Sequence, residues 1–282
     1  MLQAMVAAAE RVFEFLEQPE EIETANVEID TSKIKGNVEF KHVNFGYDED
    51  KTIINDFSAN IKEGQKIAIV GPTGAGKTTM VKLLMRFYDV NSGEINIDGH
   101  NIKDFKRGEL RKMFGMVLQD TWLFGGTVKE NIKYGNEEAT DGEVIEAAKA
   151  AHVHHFIKTL PKGYNSILNE ESSNVSAGQK QLLTIARVIL ANPKILILDE
   201  ATSSIDTRTE IQIQKAMDNL MKGRTSFIIA HRLSTIKNAD LILVMNHGDI
   251  IEQGTHEELL AKKGLYHTLY EAQKGGAHYE KA

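Results

Sequence analysis

Apolar residues at the start of the chain recur at helical spacing. In residues 1–18 they come every three or four positions, which predicts one amphipathic helix, and Pro19 with the acidic run after it ends the pattern. Residues 27–32 are polar and lack clear periodicity. We therefore predict a linker over residues 19–35 and a compact domain that starts at about residue 36.

The next segments have the patterns of two kinds of strand. Residues 37–45 and 52–61 alternate between apolar and polar positions, as half-buried antiparallel strands do. Later apolar runs, separated by helical stretches, predict strands buried on both faces of a largely parallel sheet. These runs are residues 66–70, 195–198, 225–230 and 241–245. Together the segments predict an α/β domain with an antiparallel part.

Helical periodicity dominates the middle and the end of the domain. Between about residues 120 and 190 the pattern predicts a helical subdomain, with residues 143–158 and 178–191 as its best helices. Thr255 followed by Glu258 predicts a capping box that opens a last helix reaching about residue 273. We expect residues 274–282 to form a C-terminal tail.

Composition narrows the classes of function. The chain has 282 residues, of which 41% are hydrophobic and 26% charged, as in ordinary globular proteins. A net charge of −7 without a long basic stretch argues against nucleic acid as a partner. The absence of cysteine excludes disulfides, thiolate catalysis and Cys-ligated zinc. No apolar run approaches the ~20 residues that span a bilayer, so we predict no membrane-spanning segment.

A phosphate-binding loop follows the strand predicted over residues 66–70. Its glycines let several backbone N–H groups point at a β-phosphate, and the start of the next helix adds positive potential. Lys77 is expected to reach the β- and γ-phosphates, and Thr78 to ligate Mg²⁺. The cradle consists of Gly71, Pro72, Thr73, Gly74, Ala75, Gly76, Lys77, Thr78 and Thr79. An ordinary glycine turn is the alternative, but it does not require a strand before and a helix after.

Two carboxylates end the apolar run over residues 195–198. Asp199 is expected to hold Mg²⁺ directly or through water, and Glu200 to polarise the attacking water as general base. Two acids that merely cap a strand end are the alternative. The phosphate-binding loop in the same chain favours the catalytic interpretation.

Residues 174–181, Asn-Val-Ser-Ala-Gly-Gln-Lys-Gln, lie just before this strand. With them the chain resembles the ABC transporter ATPase family, whose signature motif is written LSGGQ. The resemblance implies that Ser176, Gly178 and Gln179 cap the γ-phosphate of ATP held by an opposite subunit, so that two cassettes share each site. Taken alone, Ser176 would be a helix N-cap.

Further residues match family elements one by one. Tyr47 resembles the aromatic residue that stacks on adenine, and Gln119 resembles the Q-loop residue that touches Mg²⁺ or water and senses the membrane domain. His231 is similar to the switch histidine that positions Glu200 and the water. Asp206 ends a segment like the D-loop, which crosses the dimer interface, and it is also a candidate helix N-cap. By this resemblance Glu200, His231 and Gln119 are catalytic.

The resemblance is closest to exporter-type cassettes. It implies a P-loop NTPase (RecA-like) core with an antiparallel β subdomain and an inserted α-helical subdomain over residues 36–273. It also implies ATP and Mg²⁺ as cofactors, a second cassette and a transmembrane domain as partners, and a place at the cytoplasmic face of the membrane. Residues 1–18 then resemble the tail of the last membrane helix. The alternative is an ordinary N-terminal helix packed on the domain.

Three features depart from the family pattern. Ala177 replaces a glycine of the signature, residues 169–173 lack the acidic-glycine pattern common in exporters, and Ile205 stands where Leu or Met is commoner. A heterodimeric exporter with unequal sites is therefore an open alternative to a homodimer. Two functional alternatives also stay open, a non-hydrolytic ATP-gated dimerisation switch and the ATPase subunit of an importer.

Overall fold

The computed structural model describes residues 2–18, 20, 29–48, 51–118, 121–169, 175–199, 205–230 and 233–274. The strands in this part of the chain are β1 (Val38–Phe45), β2 (Ile54–Ile61), β3 (Lys66–Val70), β4 (Ser92–Ile97), β5 (His100–Asn101), β6 (Phe114–Val117), β7 (Gly126–Thr127), β8 (Ile167–Leu168), β9 (Ile195–Asp199), β10 (Thr225–Ile229), β11 (Leu241–Asn246) and β12 (Asp249–Gly254). The helices are α1 (Leu2–Leu16), α2 (Lys77–Leu84), α3 (Arg107–Lys112), α4 (Val128–Lys133), α5 (Asp141–Ala150), α6 (His154–Thr159), α7 (Ala177–Ala191), α8 (Thr207–Met221), α9 (Leu233–Lys237), α10 (His256–Lys262) and α11 (Leu265–Lys274).

The central sheet joins six of the described strands in the order β12-β11-β3-β10-β9-β6. Neighbours from β11 to β6 are parallel, and β12 pairs with β11 in the antiparallel sense. Every residue of β10 is buried, because the hydrophobic cluster on one face includes α7 and α8 and the cluster on the other includes β1, β2 and α2. The predicted parallel sheet is confirmed, and the four apolar runs become β3, β9, β10 and β11.

A second sheet supplies the antiparallel subdomain. Its strands lie in the order β2-β1-β4-β5, and β1 is antiparallel to both β2 and β4. Phe40 on β1 packs edge to face against Phe57 on β2 at 5.0 Å and against Phe227 on β10 at 6.4 Å. These rings join the two sheets in one hydrophobic cluster. The antiparallel strands predicted from the alternating pattern are confirmed.

Helices α4 to α7 lie between β6 and β9 in the chain and form the predicted helical subdomain. The helix predicted over residues 143–158 is wrong in one respect, because α5 ends at Ala150 and α6 begins at His154. His152 between them adopts a left-handed conformation with φ of 56°, which an α-helix does not tolerate. The last predicted helix is likewise divided into α10 and α11 at Lys263, where φ is 53°. Its predicted capping box, Thr255 with Glu258, is confirmed.

Asp98 binds the backbone that leads into β1. Asp98 accepts hydrogen bonds from the backbone N–H groups of Lys35 (2.6 Å), Gly36 (3.0 Å) and Asn37 (3.1 Å). Burial raises the pKa of Asp98, but the hydrogen bonds from Asn37, Gly36 and Lys35 outweigh it and leave the pKa below its usual value.

Helix α1 precedes this anchor, and its side chains from residue 3 onward are exposed. Large apolar side chains are among them, with Phe15 at 77% and Leu16 at 67% exposure. Within the described ranges, no helix is both long and apolar enough to cross a membrane.

Candidate nucleotide-binding site

The phosphate-binding loop joins β3 to α2, as the sequence predicted. Gly74 and Gly76 have φ of 81° and 100°, which side chains beyond glycine rarely adopt. The Lys77 Nζ donates hydrogen bonds to the carbonyl oxygens of Gly71 (2.7 Å) and Pro72 (2.9 Å). The loop therefore folds around its own lysine, and the ammonium group lies inside the cradle.

A hairpin turn at Asn246–Asp249 supports the loop from behind. The Gly248 N–H donates to the Ala75 carbonyl at 3.1 Å, and the Asn55 N–H donates to the Gly248 carbonyl at 3.1 Å. A Cβ on Gly71 would lie 2.2 Å from the Met245 carbonyl oxygen, so β11 passes too close for any side chain there. Sequence reasoning missed this support, because the contacts join segments more than 170 residues apart.

Asp199 ends β9, at the same edge of the sheet as the loop. Burial lowers the pKa of Lys77, and the negative charge of Asp199 raises it in part. Thr78, at the start of α2, is exposed. Mg²⁺ prefers oxygen ligands and is commonly held by one or two carboxylates with substrate phosphates and water, so Thr78 and Asp199 fit this ion. Across the part of the chain that the structure describes, no group of three or more His, Asp or Glu side chains could hold a metal ion.

Tyr47 lies beside the phosphate-binding helix with 44% of its surface exposed. Its hydroxyl is 3.3 Å from the Thr79 hydroxyl, and its ring centroid lies 5.0 Å from those of Phe45 and Tyr88. The Lys82 Nζ lies over the ring, 5.7 Å from its centroid. Tyr47 and the phosphate cradle thus meet at α2. The sequence predicted the role of Tyr47 but not these neighbours.

The signature segment caps α7. Ser176 accepts a hydrogen bond on its Oγ from the Gln179 N–H (3.3 Å), and the Gln179 Oε1 accepts one from the Ser176 N–H (2.9 Å). The N-cap alternative is therefore confirmed for Ser176. It does not exclude phosphate binding, because the exposed hydroxyl keeps its own hydrogen to donate. Ala177, the first residue of α7, is also exposed.

Asp206 caps α8 in the same way. Its Oδ1 accepts a hydrogen bond from the Thr209 N–H at 3.0 Å, and this bond holds the pKa of Asp206 below its usual value. Its carboxylate is exposed, so capping leaves one oxygen accessible. The N-cap predicted for Asp206 is confirmed.

The remaining predicted site residues follow strand ends. β6 ends at Val117, β9 at Asp199 and β10 at Ile229, all at the edge where the phosphate-binding loop leaves β3. Gln119, Glu200 and His231 come within two residues of these ends in the sequence, and they lie outside the described residues.

Comparison with known proteins decides the family. Residues 54–203 match the ABC transporter family. The chain belongs to the ABC transporter family. The predicted resemblance and the predicted P-loop NTPase fold are thereby confirmed, and the family is one of ATPases.

Similar proteins carry an ABC cassette joined to further chain. A fatty acid ABC transporter ATP-binding/permease protein of Mycobacterium bovis is 55% identical over 271 residues, which are 96% of this chain and 43% of that protein. An ATP-dependent lipid A-core flippase of Syntrophus aciditrophicus is 45% identical over 272 residues, 96% of this chain and 45% of that protein. The solved structure of a bacterial Atm1-family ABC exporter with ATP bound matches with a TM-score of 0.84 and 41% identity, covering 96% of this chain and 47% of that one. The ABC cassette thus spans less than half the length of these relatives.

In this ABC cassette, the signature helix is tied to the segment that follows Gln119. Arg187 on α7 donates from Nη1 to the Trp122 carbonyl (3.1 Å) and from Nε to the Asn131 carbonyl (2.9 Å). Asn131 is buried and donates from Nδ2 to the Phe124 carbonyl at 3.0 Å. These hydrogen bonds tie α7 to residues 122–124. Sequence reasoning did not find Arg187 or Asn131.

Gly178 also has a packing role in the ABC cassette. A Cβ at this position would lie 2.3 Å from the Thr209 Cγ2 and 3.2 Å from the Ile205 Cγ2, so α7 rests directly on α8 and on Ile205, which lies two residues before α8 begins. The sequence assigned this glycine to phosphate binding. The structure adds that the missing side chain lets the two helices touch.

We expect Gly178→Ala to lower the free energy of unfolding by about 1–3 kcal/mol, because the added methyl must displace a β-branched side chain in a packed contact. Urea unfolding followed by circular dichroism measures this. Gly142→Ala is the matched control, since it lies in α5, where a Cβ would make only an ordinary van der Waals contact with the Thr140 hydroxyl at 3.8 Å, and is expected to stabilise by about 0.5–1 kcal/mol. A Gly178→Ala variant as stable as the wild type would contradict the packing role.

Proposed function

We propose that the chain is the ATP-hydrolysing cassette of a larger ABC exporter and that two copies close around Mg-ATP. The observation that carries this proposal is the position of Lys77 inside a preformed phosphate cradle, with the charge of Asp199 acting on it. Phosphate oxygens are better acceptors for the ammonium group than the carbonyls of Gly71 and Pro72. Bound ATP is therefore expected to take over the lysine, with its base on Tyr47.

Thr78 and Asp199 are the residues that hold Mg²⁺ in this proposal. When held by these two residues, Mg²⁺ would supply positive charge to offset that of the triphosphate. The backbone N–H groups of residues 74–78 face the same phosphates and create a positive potential there. These contacts hold the γ-phosphate in place for in-line attack by water.

Distance within one chain favours a second copy. Helix α7, which Ser176 opens, packs against β6, whereas the phosphate cradle follows β3. β6 and β3 are three strand spacings apart, roughly 14 Å. Ser176 is thus remote from the phosphates of its own chain, although its hydroxyl and the α7 N-terminus suit a phosphate. A second cassette that faces the first supplies the missing half of each site.

Hydrolysis is assigned to residues that follow neighbouring parallel strands. Glu200 activates the water as general base, while His231 and Gln119 hold the water and the γ-phosphate in line. The ends of β9, β10 and β6 meet at one edge beside the cradle, which supports this grouping. We do not adopt the purely dimerising switch, because a switch has no use for a general base.

Export is proposed from the relatives. Two of them are an ATP-binding/permease protein and a flippase, and the structural neighbour is an ABC exporter. We propose a transmembrane domain as the partner, with the cassette at the cytoplasmic face of the membrane. The exposed apolar side chains of α1 support a partner for that helix outside the described fold.

Cross-linking tests the shared site. The chain has no cysteine, so introduced thiols are unique. Thr73 and Ala177 are both exposed, one in the phosphate cradle and one in the signature. We expect a mixture of Thr73→Cys and Ala177→Cys chains to form a dimer linked by a short thiol-specific reagent, at least tenfold faster with Mg²⁺ and a slowly hydrolysed ATP analogue. Each variant alone is the control, since like thiols lie far apart in a face-to-face dimer. If each single variant cross-links as fast as the mixture does, the shared site is refuted.

A further inference from the structure

The ring of Tyr47 is held by side chains that come from α2 and the turn after it. Thr79 and Lys82 lie on α2, and Tyr88 lies four residues beyond its end. Tyr88 meets Tyr47 edge to face, with 5.0 Å between centroids and an interplanar angle of 83°. Such aromatic pairs prefer this geometry and fix the relative orientation of the rings. Phe45 at the end of β1 meets the same ring edge to face, also with 5.0 Å between centroids. The orientation of Tyr47 is therefore held by α2 and its turn together with Phe45.

The turn that carries Tyr88 is itself firmly anchored. Arg86 is 1% exposed and donates from Nη1 to the carbonyls of Lys103 and Phe105, both at 3.2 Å. Its Nε donates to Asp89 at 2.9 Å, and Arg111 donates from Nη2 to the Arg86 carbonyl at 3.0 Å. These bonds fix the backbone on both sides of Tyr88, so its ring is a rigid support for a half-exposed neighbour.

The same helix starts at Lys77, in the phosphate cradle. An α-helix is a stiff element with a fixed rise of about 1.5 Å per residue. Contacts of Tyr47 with α2 and its turn therefore fix the distance between the ring that receives a base and the loop that receives the phosphates. A nucleotide contacts the ring and the loop at once and so depends on the distance between them, whereas a ligand made of phosphates alone contacts only the loop.

We propose that Tyr88 is a positioning residue for the nucleotide base, acting by holding the ring of Tyr47 at a fixed distance from the phosphate cradle. The inference rests on the proposed stacking of the base on Tyr47. Its consequence is selective. Without Tyr88, the Tyr47 ring is free to move before the ligand binds, and part of the binding free energy is lost in immobilising it. Ligands with a base therefore lose affinity, and ligands without one do not.

Paired ligands test this selectivity. We expect Tyr88→Ala to weaken Mg-ATP binding to the chain about three- to tenfold by isothermal titration calorimetry. Binding of inorganic tripolyphosphate with Mg²⁺ is expected to change less than twofold. Tyr88→Phe, which keeps the ring, is expected to bind both ligands as the wild type does. Tyr88→Leu keeps the apolar bulk without a ring and serves as a second variant if the alanine variant is poorly folded.

Phe87→Ala is the matched control. Phe87 is the adjacent residue and is 46% exposed, close to the 43% of Tyr88, but its ring lies under the Arg111 guanidinium at 4.9 Å and not against Tyr47. We expect this variant to keep the wild-type ratio of ATP to tripolyphosphate affinity. If Phe87→Ala lowers the ratio as much as Tyr88→Ala, general loosening of the turn explains the effect and the positioning role is overturned.

A double-mutant cycle separates this inference from the proposed function. In the Tyr47→Ala background, Tyr88→Ala is expected to cause no further loss of ATP affinity, because its effect passes through Tyr47. If Tyr47→Ala lowers the affinity ratio and Tyr88→Ala does not, the inference fails and the stacking role stands. If Tyr47→Ala leaves the ratio unchanged, base stacking on Tyr47 is wrong and the inference fails with it. A loss of ATP binding that is additive in the double variant also overturns the positioning role.

Discussion

Lys77→Ala is expected to weaken Mg-ATP binding about 10- to 100-fold and to abolish measurable turnover. Hydrogen bonds to charged groups contribute about 1.5–3 kcal/mol each, and this lysine is the ammonium group inside the phosphate cradle. In the nucleotide-free loop the variant also leaves the carbonyls of Gly71 and Pro72 without this donor, but ATP displaces those hydrogen bonds, so their loss does not add to the loss of affinity. Titration calorimetry with Mg-ATP and a phosphate-release assay measure the two effects.

Lys62→Ala is the control for the loss of a positive charge. Lys62 is exposed in the turn before β3, at the end of that strand opposite to the cradle. Affinity and turnover are expected to stay within twofold of the wild type. Wild-type ATP affinity in Lys77→Ala would show that the loop at residues 71–79 does not hold the triphosphate.

The phosphate cradle could be predicted because its chemistry is local. Residues 71–78 are consecutive, and the strand before them and the helix after them are strongly patterned. The same holds for the N-caps Ser176 and Asp206, since a capping side chain bonds to a residue three positions along. Patterns that involve residues only a few positions apart can be recognised in a sequence without any knowledge of the fold.

The supports of the site could not be predicted in this way. Tyr88 meets Tyr47 across 41 residues, and Gly248 meets Ala75 across 173. These contacts depend on how two sheets pack, and no local pattern marks them. The break at His152 was missed for a different reason, because neither glycine nor proline stands near it to indicate the end of a helix. At Lys263 the next residue, Gly264, is such a signal, and the prediction of one continuous helix overlooked it.

In the proposed function, helix α2 and helix α7 form the two binding surfaces of the cassette. α2 carries the phosphate cradle at its start and supports Tyr47 along its length, so it defines one half of the site. α7 presents Ser176 at its start and holds residues 122–124 through Arg187. Closure of two copies would bring α2 of one against α7 of the other. Because Arg187 bonds to the Trp122 carbonyl, we propose that the segment after Gln119 would follow the signature helix on closure.

Glu200→Gln is expected to lower turnover about 10²–10³-fold while ATP affinity stays within twofold of the wild type. The amide keeps the size of the carboxylate but cannot accept a proton from water, so the variant loses the general base and keeps every contact with the bound triphosphate. Because the closed dimer opens after hydrolysis in this mechanism, the variant is also expected to run as a dimer in gel filtration with Mg-ATP. Glu63→Gln, an exposed residue at the opposite end of β3, is the control and is expected to hydrolyse ATP at the wild-type rate. Equal turnover in Glu200→Gln and the wild type would contradict the assignment of the chain as an enzyme. Loss of turnover together with a monomer peak would support Glu200 as the general base but contradict the ATP-closed dimer.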